Sequence, residues 1–255
     1  MKILLIFVLY LISGPVNCSD VIGYSGESVI IMSNIQWYSH DSKYICKVNK
    51  NDCTDIIRAD TKHNKVQDGR FMLYSNTKNY FLVLIRKLKP QDAGTYRFGL
   101  GNQSNSTVNL KVYNNTSCGV PKIMNVYLGQ NITINCNYPE EYGRNTKYLD
   151  SVDDDSIIKE ILDTNTKFQN DRFSISDDRS AKVLSVNISD VREDDEVFYL
   201  FGAWNGGGSV EYYTFFIEMW LHPTVAISVC VCAALLLIGG FVLMSYKLMH
   251  KKTQS

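Results

Sequence analysis

Histidine is scarce in this sequence, with four in 255 residues, at His40, His63, His222 and His250. They are too scattered to build a metal centre or a general base with an orienting partner. No Ser or Cys stands in a nucleophile motif. Asp153, Asp154 and Asp155 are successive acids that point different ways and lack the ligand spacing of a Ca²⁺ loop, so they read as a solvated loop. The glycine run Gly206 to Ser209 is followed by no helix and is a loop, not a phosphate cradle. The sequence therefore assigns no catalytic residue, no metal ligand and no cofactor, and an enzyme is not expected. Net charge is absent too, with 26 Lys+Arg against 26 Asp+Glu. Nucleic acid is excluded as a partner, by the compartment inferred next more than by this balance.

Long uncharged runs occur at both ends. Lys2 precedes the apolar stretch Ile3 to Ile12, and Val16 and Cys18 are placed as the minus-three and minus-one residues of a cleavage site. That is the pattern of a secretory signal peptide over residues 1–18, too short to span a bilayer. Pro223 to Met244 carries no charged side chain. At 1.5 Å rise per residue it crosses a hydrocarbon core of about 30 Å. Lys247, Lys251 and Lys252 follow it, which keeps that end cytoplasmic and puts the amino terminus outside. The expected organisation is a signal peptide (1–18), two extracellular domains (19–113 and 114–219), a transmembrane helix (222–245) and a tail (246–255). The expected location is the plasma membrane, as a single-pass type I protein.

The neutral total hides an asymmetry. Residues 19–113 hold 13 Lys+Arg and 8 Asp+Glu, a net of +5, whereas residues 114–221 hold 9 and 18, a net of −9. Such a split bears on partners and association, not on fold. Lys43, Lys47, Lys50, Lys62 and Lys65 fall in or beside one group of strands and are a candidate patch for anionic lipid or glycan.

The extracellular part repeats itself. Gly26 to Ser33 matches Gly129 to Cys136, Arg70-Phe71 matches Arg172-Phe173, and Asp92 to Gly99 matches Asp195 to Gly202, with an offset of 103 residues at both Gly26/Gly129 and Asp92/Asp195. Val29, Ile31 and Ser33 alternate on one face, as do Phe81, Val83 and Ile85. Ile132, Ile134 and Cys136 repeat the first set, and Leu184, Val186 and Ile188 the second. Period-two alternation over short runs, separated by turn residues, predicts β-sandwiches, each copy having the size of an immunoglobulin domain. The fold class is thus all-β: two tandem immunoglobulin V-type sandwiches plus one transmembrane helix. Arg70 with Asp92, and Arg172 with Asp195, are expected to pair across the bottom of each sandwich, and Tyr96 to form a tyrosine corner.

With these landmarks, Lys43-Tyr44-Ile45-Cys46, Cys53, Arg58, Gly69-Arg70-Phe71 and Asp92-Ala-Gly-Thr-Tyr96 resemble the polymeric immunoglobulin receptor, its leukocyte relatives of the CD-three-hundred group, and receptor-like proteins of fish. The resemblance covers nearly the whole extracellular part. It implies a disulfide between Cys46 and Cys53, joining strand C to strand C′.

The usual bridge between strands B and F is missing from both copies. Its positions are Ser33 and Phe98 in the first and Cys136 and Phe201 in the second, and Ile45 and Leu149 replace the core Trp of strand C. The lost cross-link forfeits roughly 4 kcal/mol per domain. A buried Phe returns about 1.5–3 kcal/mol of that. Asp150 occupies the place of Cys46 in the second copy, leaving Cys118 and Cys136. Three readings stand for these two: a buried free thiol at Cys136, a bond between them, or an intermolecular bond through Cys118.

Sequons occur at Asn102, Asn105, Asn114, Asn115, Asn131 and Asn187. Asn102 and Asn105 are expected in the loop between strands F and G, and Asn131 and Asn187 on outward positions of their strands. Tyr246 is flanked by Met244 and Met249 and lies against the membrane, a poor match to a signalling motif. The expected function is a cell-surface immunoglobulin-superfamily receptor that binds an extracellular protein, lipid or glycan through its first domain, without signalling motifs of its own. The alternatives are an adhesion protein, including self-association, and a polymeric-immunoglobulin transport receptor.

Overall fold

The computed structural model describes residues 19–37, 41–50, 52–60, 64–76, 78–101, 104–114, 118–152, 158–206, 210–225 and 238–244. The expectations for the signal peptide, Asn102, Asn115, Asp153 to Asp155 and the tail lie outside these residues. In chain order the strands are β1 (Ser19–Tyr24), β2 (Val29–Gln36), β3 (Lys43–Asn49), β4 (Asp52–Ala59), β5 (Lys65–Asp68), β6 (Phe71–Ser75), β7 (Tyr80–Ile85), β8 (Gly94–Leu100) and β9 (Ser104–Tyr113). They continue with β10 (Ile123–Tyr127), β11 (Ile132–Asn137), β12 (Lys147–Val152), β13 (Ile158–Asp163), β14 (Gln169–Asn170), β15 (Phe173–Asp178), β16 (Val183–Ile188), β17 (Phe198–Asn205) and β18 (Glu211–Thr224).

The first copy sets a sheet ordered β1-β9-β8-β3-β4 against the strands β2, β7, β6 and β5; the second sets β13, β12, β17 and β18 against β11-β16-β15-β14. The alternating residues face each other as the period requires. In β11 and β16 the pairs are Ile132 with Ile188, Ile134 with Val186 and Cys136 with Leu184. One core holds Val29, Ile31, Ile45, Phe81, Val83, Tyr96 and Phe98, and the other Ile134, Cys136, Leu149, Leu184, Val186 and Phe201.

The repeat is visible in backbone detail. Gly26 and Gly129 both sit at positive φ, +85° and +77°, in the turn before β2 and before β11. Only glycine adopts such angles without steric cost. Their N–H groups donate to Leu88 O and Val191 O, matched positions of the two copies.

The expected bottom pairs form with the same geometry twice. Arg70 Nη1 and Nη2 donate to Asp92 at 2.6 and 2.8 Å, and Arg172 donates to Asp195 at 2.8 Å from each nitrogen. Each Arg Nη1 also donates to two backbone carbonyls, those of Arg86 and Lys87 in the first copy and Ser189 and Asp190 in the second. Tyr96 closes the corner by donating from its hydroxyl to Asp92 O at 2.6 Å.

The boundary near residue 220 needs correction. β18 continues through His222, Pro223 and Thr224, which pair with Asn125, Val126 and Tyr127, and Leu221 is fully buried. The second sandwich therefore extends five residues past 219, and 222–224 are strand, not the start of a helix. Residues 238–244 are helical and exposed. Among the described residues no helix is long and apolar enough to cross a membrane.

Asp195 is 4 % exposed and Arg172 11 %. Removing one partner of so buried a pair leaves an uncompensated charge, and Asp195→Ala is expected to cost about 3–5 kcal/mol. Denaturant unfolding followed by Trp fluorescence checks it. The more exposed pair Arg70–Asp92, at 26 % and 11 %, should lose less in Asp92→Ala.

Candidate functional site

The two sandwiches do not sit end to end as separate units. The start of β18 pairs with β2, Glu211 to Thr214 opposite Met32 to Val29. One continuous sheet thus runs β13-β12-β17-β18-β2-β7-β6-β5 through both copies. The faces beside this seam are apolar. Ile30, Met72, Leu82 and Leu84 of the first copy pack with Val152, Leu200 and Phe215 of the second, all buried. The cores also exchange side chains: Tyr24 enters the second core beside Phe216 and Tyr142, and Val210 enters the first.

Polar groups fix the seam. Glu218 pairs with Arg86 and accepts from Ser28 Oγ at 3.2 Å. Glu27 pairs with Lys122 and accepts from the Glu218 N–H at 2.9 Å. Burial raises the Glu27 carboxyl, and the Lys122 ammonium opposes that rise. Thr214 Oγ1 donates to Ile22 O at 2.7 Å, and Tyr24 donates to Glu141 at 3.1 Å. Part of the opposite charge of the two halves is therefore spent within the chain.

Sequence reasoning missed this surface, although a signal was present. By the 103-residue offset, Ile30, Met32, Leu82 and Leu84 correspond to Thr133, Asn135, Ser185 and Asn187. The first copy is thus apolar on both faces of β2 and β7, which marks a sheet covered on both sides. The reverse holds on the opposite sheet, where Arg97 of the first copy corresponds to Leu200 of the second.

The second copy therefore buries its front sheet, while the sheet β1-β9-β8-β3-β4 of the first keeps a polar outward face. Arg97 is exposed on β8 between the inward Tyr96 and Phe98, and Arg58 is exposed on β4 opposite Tyr44. The Arg58 guanidinium lies 4.9 Å from the Tyr44 ring and pairs with Asp55. Lys111 reaches Asp20 across the β1–β9 edge at 2.5 Å. Cys46 is bonded to Cys53, sulfur to sulfur at 2.08 Å, cross-linking β3 to β4 beside this face.

Among the described residues the lysines do not form the expected patch. Lys43 is fully buried with its ammonium 5.2 Å from the Trp37 ring, and burial lowers its pKa. Lys47 donates to Gln91 O at 2.7 Å, Lys65 lies on the other sheet, and Lys62 is outside the described residues. Lys147 repeats the arrangement, fully buried, 4.2 Å from the Tyr138 ring and 2.9 Å from Asp177.

Of the three readings for the remaining cysteines, the structure has the intramolecular bond. Cys118 and Cys136 are joined, 18 residues apart in sequence, and both are buried. Asn105 lies within β9 opposite Gly99, not in a loop. Asn105, Asn114 and Asn131 are exposed. Asn187 is half-buried and accepts from Thr133 Oγ1 at 2.6 Å.

Residues 119–222 match the family described as immunoglobulin V-set domain. The polymeric immunoglobulin receptor of Bos taurus is 26% identical over 200 residues, covering 75% of this chain and 26% of the receptor. That of Mus musculus is 26% identical over 206 residues, with 76% and 26% covered. The chain spans about a quarter of the length of these curated relatives. Among solved structures, the first immunoglobulin domain of the mouse polymeric immunoglobulin receptor aligns at TM-score 0.33 and 16% identity, over 42% of this chain and 95% of that one. A marsupial T cell receptor aligns at TM-score 0.37 and 12% identity, over 80% and 70%. The family match and the two receptors support an immunoglobulin-superfamily, receptor-like protein.

Two predictions follow from the seam. Leu84→Glu places a charge in the apolar contact, costs more than about 3 kcal/mol there, and separates the sandwiches. Small-angle scattering should show a larger radius of gyration, while Asn187→Glu at the matched position of the second copy leaves it unchanged. The second concerns Asp150, 4 % exposed in the seam, whose carboxyl burial and the neighbouring Glu160 hold well above the ordinary range. A carboxyl raised on folding stabilises fully below its unfolded value, about pH 4, and that contribution is lost as pH rises through the raised value. Asp150→Asn should therefore raise the thermal midpoint at neutral pH, and the gain should shrink towards pH 4.

Proposed function

We propose that the chain is a single-pass type I receptor of the plasma membrane, whose extracellular part binds a protein ligand on the outward face of the sheet β1-β9-β8-β3-β4. One observation carries this reading: the second front sheet is covered within the chain, whereas the first keeps Arg58, Arg97 and Lys111 exposed on its surface. Arg and Tyr are the residues most often central to protein interfaces, and the Arg58–Tyr44 stack presents both at once. The Cys46–Cys53 bond stiffens the strands that hold them, which lowers the ordering cost of binding.

In this reading residues 1–18 are removed as a signal peptide and residues 225–245 form the membrane span. The exposed Ile238, Phe241, Val242, Leu243 and Met244 of the helical stretch suit contact with lipid. The two sandwiches occupy 19–113 and 114–224, with glycans on the sequons at exposed positions. The relatives' name, polymeric immunoglobulin receptor, directs the first ligands to be tried towards polymeric immunoglobulin. The Cys46/Cys53 pair supports the finer likeness to leukocyte and fish-type receptors.

The test uses the soluble extracellular part, residues 19–224, immobilised and exposed to polymeric and monomeric immunoglobulin and to a panel of extracellular proteins. A ligand is expected whose binding Arg97→Ala weakens by about 2 kcal/mol or more, the scale of an interface hot spot. Lys159→Ala, at an exposed position of the second sandwich, should leave it unchanged. Ligand binding that survives the combined Arg58→Ala and Arg97→Ala change would overturn the assignment of the face.

A further inference from the structure

Beside the seam the two sandwiches form a half-open cavity of about 640 Å³. That is the size range of sites for small organic molecules. Its apolar wall comes from Ile30, Met32 and Leu82 of the first copy and Ile158 of the second, and Tyr74 and Tyr213 line it from either side. Of its polar lining residues, which include Asn64, Lys65, Ser75, Asn76 and Glu160, only Asp150 is buried. Leu149 beside it points into the second core, so Asp150 points out of β12 towards the first sandwich. It is 4 % exposed, it lines the cavity, and its Oδ1 has no hydrogen-bond partner.

A buried carboxyl oxygen left unpaired is destabilising, and native structures hold few of them. Neither of the roles the fold offers explains this one. Asp150 is not part of a bottom ion pair, and at the matched place the first copy has Cys46, which is disulfide-bonded. The group that would satisfy it must be a donor small enough to enter. Glu160, the cross-strand neighbour of Asp150 on β13, adds a second carboxyl to the lining, against the single ammonium of Lys65. The tyrosine rings favour a cation over an anion, because their faces carry negative charge. Size, sign and wall chemistry converge.

We propose that this cavity binds a small organic cation, a primary or secondary ammonium on an apolar body, with the ammonium donating to Asp150 Oδ1 and the body lying against Ile30, Met32, Leu82 and Ile158. Both copies contribute to the site, so such a ligand would hold the sandwiches together. Binding to the joined form alone stabilises that form by mass action. The site is distinct from the outward front face and does not rest on the receptor reading.

The experiment takes the full-length chain in lipid nanodiscs and three matched probes, phenethylamine, 2-phenylethanol and 3-phenylpropionate. Binding is read by ligand-observed NMR, with Asp150→Asn as the control for partition into lipid. Phenethylamine should bind the natural chain in preference to the alcohol and the acid. Asp150→Asn should weaken it at least about ten-fold, the equivalent of one charge-assisted hydrogen bond. Equal binding of the three probes, or amine binding that Asp150→Asn leaves unchanged, overturns the proposal. Should Asp150→Asn fail to fold, Glu160→Gln decides, because Glu160 is exposed. A selective loss of the amine supports the site, and an unchanged amine affinity sinks it.

Discussion

The structure depends on one apolar contact between unlike faces of two like domains. Ile30, Leu82 and Leu84 on the first copy meet Leu200 and Phe215 on the second, and each such side chain stabilises by about 1.5–3 kcal/mol when removed from water. In a duplicated chain this contact requires that the copies diverge in opposite senses. The first copy became apolar on the outward face of β2 and β7, the second on the outward face of β17 and β18. Strand addition follows from the contact: once the faces are together, the edge of β2 lies beside the start of β18, and pairing satisfies backbone groups that an edge strand leaves open.

The same contact decides which surfaces remain for partners. Thr133, Asn135, Ser185 and Asn187 keep the outer face of β11 and β16 polar, and one of them is a sequon asparagine. On the other copy Arg97 keeps the face of β8 polar where Leu200 makes its counterpart apolar. A V-type front sheet serves recognition when its outward face is accessible, and here only the first copy meets that condition among the described residues. The acidic second half is then a neighbour that places Glu218 and Glu141 in fixed contacts at the seam, more than a separate binding surface.

Much of this was legible in the sequence. Alternation in Val29-Ile31-Ser33 and Leu184-Val186-Ile188 gave the core faces, because the strand period is fixed by backbone geometry. The 103-residue offset located Arg70–Asp92 and Arg172–Asp195, because a bidentate pair needs both partners and both recur. The join between the copies was not read, yet Val29-Ile30-Ile31-Met32 and Phe81-Leu82-Val83-Leu84-Ile85 are unbroken apolar runs, which a sheet with a solvated face does not carry. Trp37 escaped because it stands at the end of β2 instead of in strand C; it packs on Phe81 at 5.2 Å, and no periodicity marks that place. The end of β18 was misplaced because Leu221 and Pro223 run into the apolar stretch without a change of composition. Its boundary is set by pairing with β10, a contact distant in sequence.

The join also bears on how a sandwich without a bridge between its sheets stays closed. In the first copy Ser33 and Phe98 take the bridging positions, and Phe98 stacks on Phe81 at 5.8 Å with Trp37 beyond it. Its disulfide, Cys46–Cys53, links neighbours in one sheet and does nothing to hold one sheet to the other. What clamps the two sheets is the aromatic stack, the Arg70–Asp92 pair, and the second copy, which extends one sheet through β18 and touches the other through β1. Thr214 Oγ1 reaches the Ile22 carbonyl on β1 while the backbone of residues 211–214 pairs with β2. The strand β18 thus grips both sheets of its neighbour at once, and a restraint that a single domain ordinarily takes from a covalent bond is supplied here by a second domain.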